Sequence, residues 1–246
     1  FIHGLFTVNG KKMSKTIGNI IEPQILIEHF GSDASRYLLL SQFPATESGN
    51  VDADGFTQKY NSDLANGIGN LVSRVAAMAV QYFNGRITRP ADALLASVPF
   101  KTNIDVIDVP GRDLKVGSVT SDWFIREEML PRYEAAWKEY QLDAALQEVM
   151  HVFRLLDQYI QDYEPYKLIK TDREQVEAVL WSLVSGLHHA SELLVPFMPA
   201  SAEAIAGVLG VSIGETVERI QKRTEYNVTK KEALFPRVEK PRVSEE

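Results

Sequence analysis

The stretch that decides the fold is "FTQKYNSDLANGIGNLVSRVAAMAVQYF", residues 56–83. Its apolar residues Phe56, Tyr60, Leu64, Ile68, Leu71, Val75, Met78 and Tyr82 recur at steps of three and four, the period of one helix face. A single long amphipathic helix is expected. Gly67 and Gly69 oppose it, each at a cost of about 1 kcal/mol relative to Ala in an exposed helix interior. Asn66, Asn70 and Arg74 stand at i, i+4 and i+8 in the same stretch. At about 100° per residue they drift by about 80° and centre about 115° from the apolar stripe. They form a polar ridge turned outward. A solvated face accounts for such a ridge, and so does RNA recognition, because amide and guanidinium groups pair bidentately with the base edges that a single-stranded loop exposes.

Downstream the pattern stays helical. A segment from about Asp122 to Asp162 carries Leu142, Ala145, Val149, Val152, Leu156, Ile160 and Tyr163 on one stripe, with Pro131 expected to kink or divide it. It stops at Glu164-Pro165. Thr171 and Glu174 read as a capping box ahead of a helix carrying Val176, Val179, Leu183, Leu187 and Leu194. A shorter helix runs from about Ala200 to Leu209, and "GETVERIQKR" adds a turn or two. Between the first two helical segments the period is lost, and "NIDVIDVPGRDLKVG" alternates around Pro110-Gly111. A β-hairpin insert is expected at about 97–120. Trp123, Trp137 and Trp181, on helices, read as packing residues. His188 and His189 also read as packing or surface residues, since no carboxylate cluster accompanies them at metal spacing.

Upstream, "FIHGLFTVNG" reads as a strand pair around the Asn9-Gly10 turn. "IEPQILIEHFGSDASRYLLLSQFP" reads as two short helices, with Pro23 near a start, Gly31 as a stop and the second helix from Asp33 to Gln42. The polar, breaker-rich "PATESGNVDAD", residues 44–54, suggests a boundary between residues 1–50 and 51–246. The fold class is therefore mainly α: a helical bundle preceded by a small α/β remnant.

Composition bounds the function. The 246 residues carry a net charge of −7, which argues against coating nucleic acid by bulk charge and makes DNA an unexpected partner. There is no cysteine, so disulfides and thiolate metal sites are excluded and no metal site is expected. No apolar run approaches the roughly 20 residues that span a bilayer, so no membrane partner is expected. The start without Met suggests a piece of a longer protein.

Between strand pair and helices lies "KKMSKTIGN", residues 11–19. Lys11, Lys12 and Lys15 are ordinary surface charge on one reading. On the other, Ser14, Thr16 and Gly18 let backbone N–H groups approach an anion while the lysines supply mobile charge, as a polyphosphate-handling loop requires. The P-loop spacing is absent.

On these residues the chain resembles the class I aminoacyl-tRNA synthetases. Lys12-Met13-Ser14-Lys15-Thr16 with Gly18-Asn19 behind it is similar to their Lys-Met-Ser-Lys-Ser signature, with Thr16 in place of the usual Ser. The signature alone leaves leucine, isoleucine, valine and cysteine enzymes open. The flanking "HG..TVNG" narrows the resemblance to the methionine enzymes, and "FGSDASRYLLL" (30–40), "YNSDLANGIGNLVSR" (60–74), "PFMPASAEAI" (196–205) and "LFPRVE" (234–239) agree. Residues 86–120 carry no part of it.

The resemblance implies a loop closing over ATP, with Lys15 the main transition-state cation and Lys12 its helper. It also implies the partners methionine, ATP with Mg2+, and tRNA(Met), and a cytoplasmic location. It makes the bundle an anticodon-binding domain, in which Asn66, Asn70 and Arg74 read CAU and an aromatic after Pro165 stacks on the cytosine. Tyr166 stands where the family usually has Trp; a tyrosine still offers a stacking platform, and base stacking is worth about 1 to 3 kcal/mol. Lys167, Lys170 and Arg173 are candidate contacts to stem phosphates, or plain surface charge. Nothing in the sequence resembles the His-Ile-Gly-His signature of the nucleotide-binding half, so the fragment alone is expected to bind no cofactor and to be inactive. A helical protein-interaction module that has lost RNA binding is the alternative from another class.

Overall fold

The computed structural model describes residues 4–8, 10–44, 46–51, 53–100 and 119–239. The predicted long helix is continuous from residue 53 to residue 83 but not uniform. α3 (Ala53–Lys59) opens into a π-helical stretch, Tyr60–Gly69, before α4 (Asn70–Phe83). In the wide turns the Asn70 N–H reaches the carbonyl of Ala65, five residues back. Gly69 shows why its helix cost is tolerated. A Cβ there would sit 3.1 Å from the Leu64 carbonyl oxygen and 3.5 Å from the Phe235 backbone nitrogen. The missing side chain lets the 234–239 segment pack directly on the helix.

In front of this helix, β1 (Phe6–Val8) pairs antiparallel with β2 (Lys11–Lys12), in register Thr7 with Lys12. α1 (Pro23–Phe30) and α2 (Ser32–Leu40) follow, divided at Gly31 as its position predicts. The breaker-rich stretch then holds β3 (Gly49–Val51), which lies parallel to β1, so the order is β2-β1-β3. α2 ties this unit to the bundle. The Arg36 guanidinium donates to the Phe197 and Pro196 carbonyls at 2.7 and 2.8 Å, and the Ser201 N–H donates to Asp33 at 2.6 Å.

Beyond Phe83, where the sequence shows only the loss of helical period, the chain makes a strand. β4 (Arg86–Thr88) pairs antiparallel with β5 (Glu225–Asn227), a partner too far along the chain for local pattern to announce. α5 (Asp92–Ala96) leads to the insert. The expected hairpin falls mostly on residues outside those described, but its ends meet: Phe100 and Val119 form an antiparallel bridge. The base of the insert is fixed to the bundle. Tyr159 and Tyr163 donate to the Val98 and Pro99 carbonyls at 2.7 and 2.8 Å, and Phe100 stacks on Tyr159 at 4.3 Å.

The second helical segment divides at a different place from the one its proline suggests. α6 (Ser121–Phe124), a π-helical turn (Ile125–Met129) and α7 (Leu130–Lys138) run on through Pro131. The wide turn just before Pro131 loosens the ladder where its missing N–H would leave a carbonyl unpaired. The break comes instead at Tyr140, whose φ of 58° is left-handed, before α8 (Leu142–Tyr163). α9 (Pro165–Leu168) and α10 (Arg173–Leu194) follow, then α11 (Pro199–Leu209) and α12 (Val217–Gln221). The N-cap of α10 is Asp172, which accepts from the Gln175 N–H at 2.9 Å. The expected Thr171 instead donates to the Leu168 carbonyl. Asp takes the cap because it sits three residues before a free N–H.

α10 is the axis of the bundle, buried on nearly every side from Val176 to Leu194 against α4, α6, α8 and α11. Trp181 is buried with it, while Trp123 and Trp137 pack half-buried on the core. His188 and His189 are fully buried, so the surface alternative for them is excluded. His188 Nδ1 lies 3.1 Å from the Tyr226 hydroxyl, and its Nε2 is 3.8 Å from Glu192. Glu192 is already committed to the N–H groups of Gly214 and Glu215. Burial pushes the His188 imidazole down to about 3, with Arg223 and His189 adding to the shift. The folded state thus takes up this proton later than the unfolded chain. Stability is full above about pH 6.5 and falls by up to about 1.4 kcal/mol per pH unit toward pH 3. We expect His188→Gln to flatten that dependence in denaturant titrations between pH 7 and 4; an unchanged slope would assign the acid sensitivity to other groups.

Candidate functional sites

The lysine stretch is partly strand. Lys11 and Lys12 belong to β2, and the loop proper begins at Met13. Two asparagines hold it. Asn50, next to β1, accepts from the Gly10 N–H at 2.6 Å and from the Thr7 hydroxyl at 3.3 Å. Asn19 accepts from the Ser14 N–H at 2.9 Å and donates to the Lys12 carbonyl at 3.2 Å. Between them the N–H groups of Ile17 and Gly18 turn back to the Ser14 carbonyl, and Gly18 has a φ of 72°. That left-handed angle is why a glycine closes the turn. Lys15 and Thr16 are left exposed at the tip, Lys12 is exposed behind them, and Met13 and Ser14 are half-buried. The arrangement supplies cations and a hydroxyl to an anion on a clamped turn. Among the described residues no group of His, Cys, Asp and Glu could hold a metal. Leu5, Ile17, Ile20, Ile25 and Ile27, in this loop or near it in sequence, are large exposed apolar side chains.

The second candidate lies on the bundle. Asn66 and Asn70 are exposed and Arg74 is half-buried, so the ridge faces outward as its spacing predicts despite the π turns. Its end members are not free. Asn66 Oδ1 accepts from Arg237 Nε and Nη2 at 3.1 and 2.8 Å. Arg74 Nη1 donates to Asp157 Oδ1 at 2.7 Å, and Asp157 Oδ2 accepts from Gln161 at 3.0 Å. A cleft of about 260 Å³ opens beside the ridge, between the long helix and α8, with Gly67, Arg154, Asp157 and Gln158 on its walls.

Tyr166 is presented from α9 (Pro165–Leu168). Glu164 ends α8 in a left-handed conformation, φ 42° and ψ 56°, and buried Pro165 starts α9. Such a backbone is costly for a non-glycine residue, and here it reverses the chain so that Tyr166 stands out, 45% exposed. The Tyr166 hydroxyl donates to Glu164 at 3.0 Å, and Lys167 pairs with the same carboxylate oxygen at 2.6 Å. The hydrogen bond to Glu164 raises the phenol above its ordinary range, while the nearby charges of Lys167 and Arg74 oppose the shift. Tyr166 and Arg74, far apart in sequence, are neighbours electrostatically.

Of the three cations beyond Tyr166, Lys167 is paired and Lys170 is exposed. Arg173 is engaged: it donates to the Tyr82 carbonyl at 2.6 Å and lies 4.4 Å over the Phe83 ring, closing the end of α4. Asp157 and Arg237 go unnoticed in the sequence. Their only signals are a polar residue on the outer side of α8 and an arginine within "LFPRVE".

Comparison with known proteins finds relatives for this chain. Residues 1–76 match the family model described as tRNA synthetases class I (M). The methionine–tRNA ligase of Clostridium acetobutylicum is 33% identical over 254 residues, covering all of this chain and 36% of that protein. That of Bacillus subtilis is 30% identical, covering 97% of this chain and 34% of the relative. The chain thus spans about a third of the length of the curated relatives it matches. Among solved structures, the Mycobacterium tuberculosis methionyl-tRNA synthetase in complex with methionyl-adenylate superposes with a TM-score of 0.76 at 26% identity, over 96% of this chain and 43% of that one.

Proposed function

We propose that this chain, homologous along its whole length to one region of methionine–tRNA ligases, supplies such an enzyme with anticodon recognition and with the lysine loop of its adenylation site. In this reading residues 1–50 close the catalytic module and residues 51–246 form the anticodon-binding domain. The observation that carries it is the outward ridge of Asn66, Asn70 and Arg74 on the long helix, with Tyr166 held exposed on α9 where the charge of Arg74 still reaches it. Amides, a guanidinium and an aromatic ring are the groups that read and stack unpaired bases. Tyr166 takes the stacking role, and Pro165 fixes where it stands.

The lysine loop fits polyphosphate by its chemistry: Lys12 and Lys15 offer charge, and Ser14 and Thr16 offer hydroxyls. ATP with magnesium, when bound, supplies the activated phosphoryl group to which methionine is joined before transfer to tRNA(Met). In this proposal magnesium arrives with the nucleotide, because the described residues offer it no ligand cluster. Lys15 stabilises charge moving to the leaving pyrophosphate, and Lys12 assists. The exposed apolar side chains Leu5, Ile17 and Ile20, in and beside the loop, are what cover by the other half of a catalytic module would explain. Without that half the chain is expected to be inactive alone. Among the described residues no helix is long and apolar enough to cross a membrane, and the proposed setting is the cytoplasm.

The test is binding of RNA stem-loops to the 246-residue chain at low salt. A CAU loop is expected to bind at least tenfold more tightly than loops with one anticodon base replaced, and Asn70→Ala or Tyr166→Ala to erode that margin. Equal affinity for all loops would refute anticodon recognition, and no binding at all would favour a protein-interaction role.

A further inference from the structure

The segment 234–239 runs back along the ridge helix and is anchored on both sides of Arg237. On one side the Tyr60 hydroxyl donates to the Pro236 carbonyl at 3.0 Å, and Phe235 meets the Tyr60 ring edge-on at 6.2 Å. On the other, Asn61 and Val238 exchange two hydrogen bonds: Asn61 Nδ2 to the Val238 carbonyl at 2.8 Å, and the Val238 N–H to Asn61 Oδ1 at 3.0 Å. Arg237 is thereby held over Asn66, where two N–H groups of one rigid fork converge on a single amide oxygen. The opposite amide orientation would turn NH2 donors against guanidinium donors. The Asn66 acceptor is therefore occupied, and the two Nδ2 hydrogens are what it presents outward.

We infer that Arg237 is a positioning residue that makes Asn66 a donor-only reader of the RNA loop. The inference rests on the anticodon reading proposed above and changes its chemistry. Bidentate recognition of adenine requires one acceptor and one donor from the same amide. Asn66 held in this way reads an acceptor, a ring nitrogen or a carbonyl oxygen. Asn70, exposed one turn on, keeps both faces of its amide for bidentate pairing.

A double-mutant cycle tests this with the CAU stem-loop and three variants, one for each anticodon position replaced. Arg237→Ala is expected to weaken CAU binding about tenfold and to narrow the margin over at least one variant loop by a similar factor. In an Asn66→Ala background the same change should alter affinity less than twofold, because residues acting through one another are not additive. Arg237→Lys should not restore the margin, since one ammonium cannot hold the amide from two directions. Asn66→Asp keeps the partner of Arg237 but removes both donors, and is expected to lose affinity as the alanine variant does. Retained CAU affinity in Asn66→Asp would overturn the inference. So would a uniform loss across all loops that persists without Asn66 and lowers the salt slope by about one, which is the signature of a phosphate contact. A wild-type chain indifferent to anticodon sequence would overturn the anticodon reading itself; a margin that survives Arg237→Ala overturns only the role of Arg237.

Discussion

Lys15→Ala in the full-length enzyme is expected to slow methionine-dependent pyrophosphate exchange by about 10² to 10³, the range seen when one preorganised charge-stabilising donor is removed. The direction follows from where the charge moves. In adenylate formation the α-phosphate bond to pyrophosphate breaks, so negative charge grows on the leaving group, and a cation placed there binds the transition state better than the ground state. Lys15 sits at the exposed tip of a turn whose base is clamped by Asn19 through Ser14 and Lys12. The clamp fixes the base and leaves the tip able to close over a nucleotide. Methionine binding should be unaffected on this reading, which assigns the loop to the polyphosphate alone, and the loss should appear in kcat. Thr16→Ser should leave exchange nearly unchanged, because the hydroxyl is kept at an exposed position. Undiminished exchange in Lys15→Ala would remove this residue from the chemistry.

The parts of the molecule legible in the sequence are those governed by local period and local turn chemistry. The stripe from Phe56 to Tyr82, the stop at Gly31 and the outward ridge all depend on neighbours within a few residues. What was not legible depends on partners distant in sequence. β4 exists because residues 225–227 return to it. Gly69 looks costly until Phe235 is seen against it. Pro131 is a local exception: it looks like a break until the widened turn just before it absorbs the missing donor. The same limit applies to the candidate site. The types and spacing of Asn66, Asn70 and Arg74 were readable, and so was Tyr166. Which of their hydrogen-bonding groups remain open was not, because Arg237 and Asp157 decide that from the tail and from α8.

Asp157 separates a geometric from a purely electrostatic account of RNA binding. Arg74→Ala should weaken the CAU stem-loop by about 5- to 150-fold, the range of one good guanidinium–base contact at about 1–3 kcal/mol. For Asp157→Ala the two accounts predict opposite signs. If Arg74 acts as diffuse positive charge, deleting a neighbouring carboxylate lowers the repulsion of phosphates and tightens binding. If Arg74 reads a base edge, it needs the anchor that Asp157 provides at 2.7 Å to Nη1. Losing the anchor then frees a long side chain whose ordering must be supplied on binding, and affinity falls. We expect a fall of about fivefold to tenfold, with the margin between CAU and variant loops shrinking with it. Thermal stability should barely move, because the pair is about a third exposed on each side and such ion pairs contribute about 1 kcal/mol or less. Tighter binding by Asp157→Ala, at unchanged discrimination, would reduce Arg74 to a general phosphate attractor and leave base reading to the two asparagines and Tyr166.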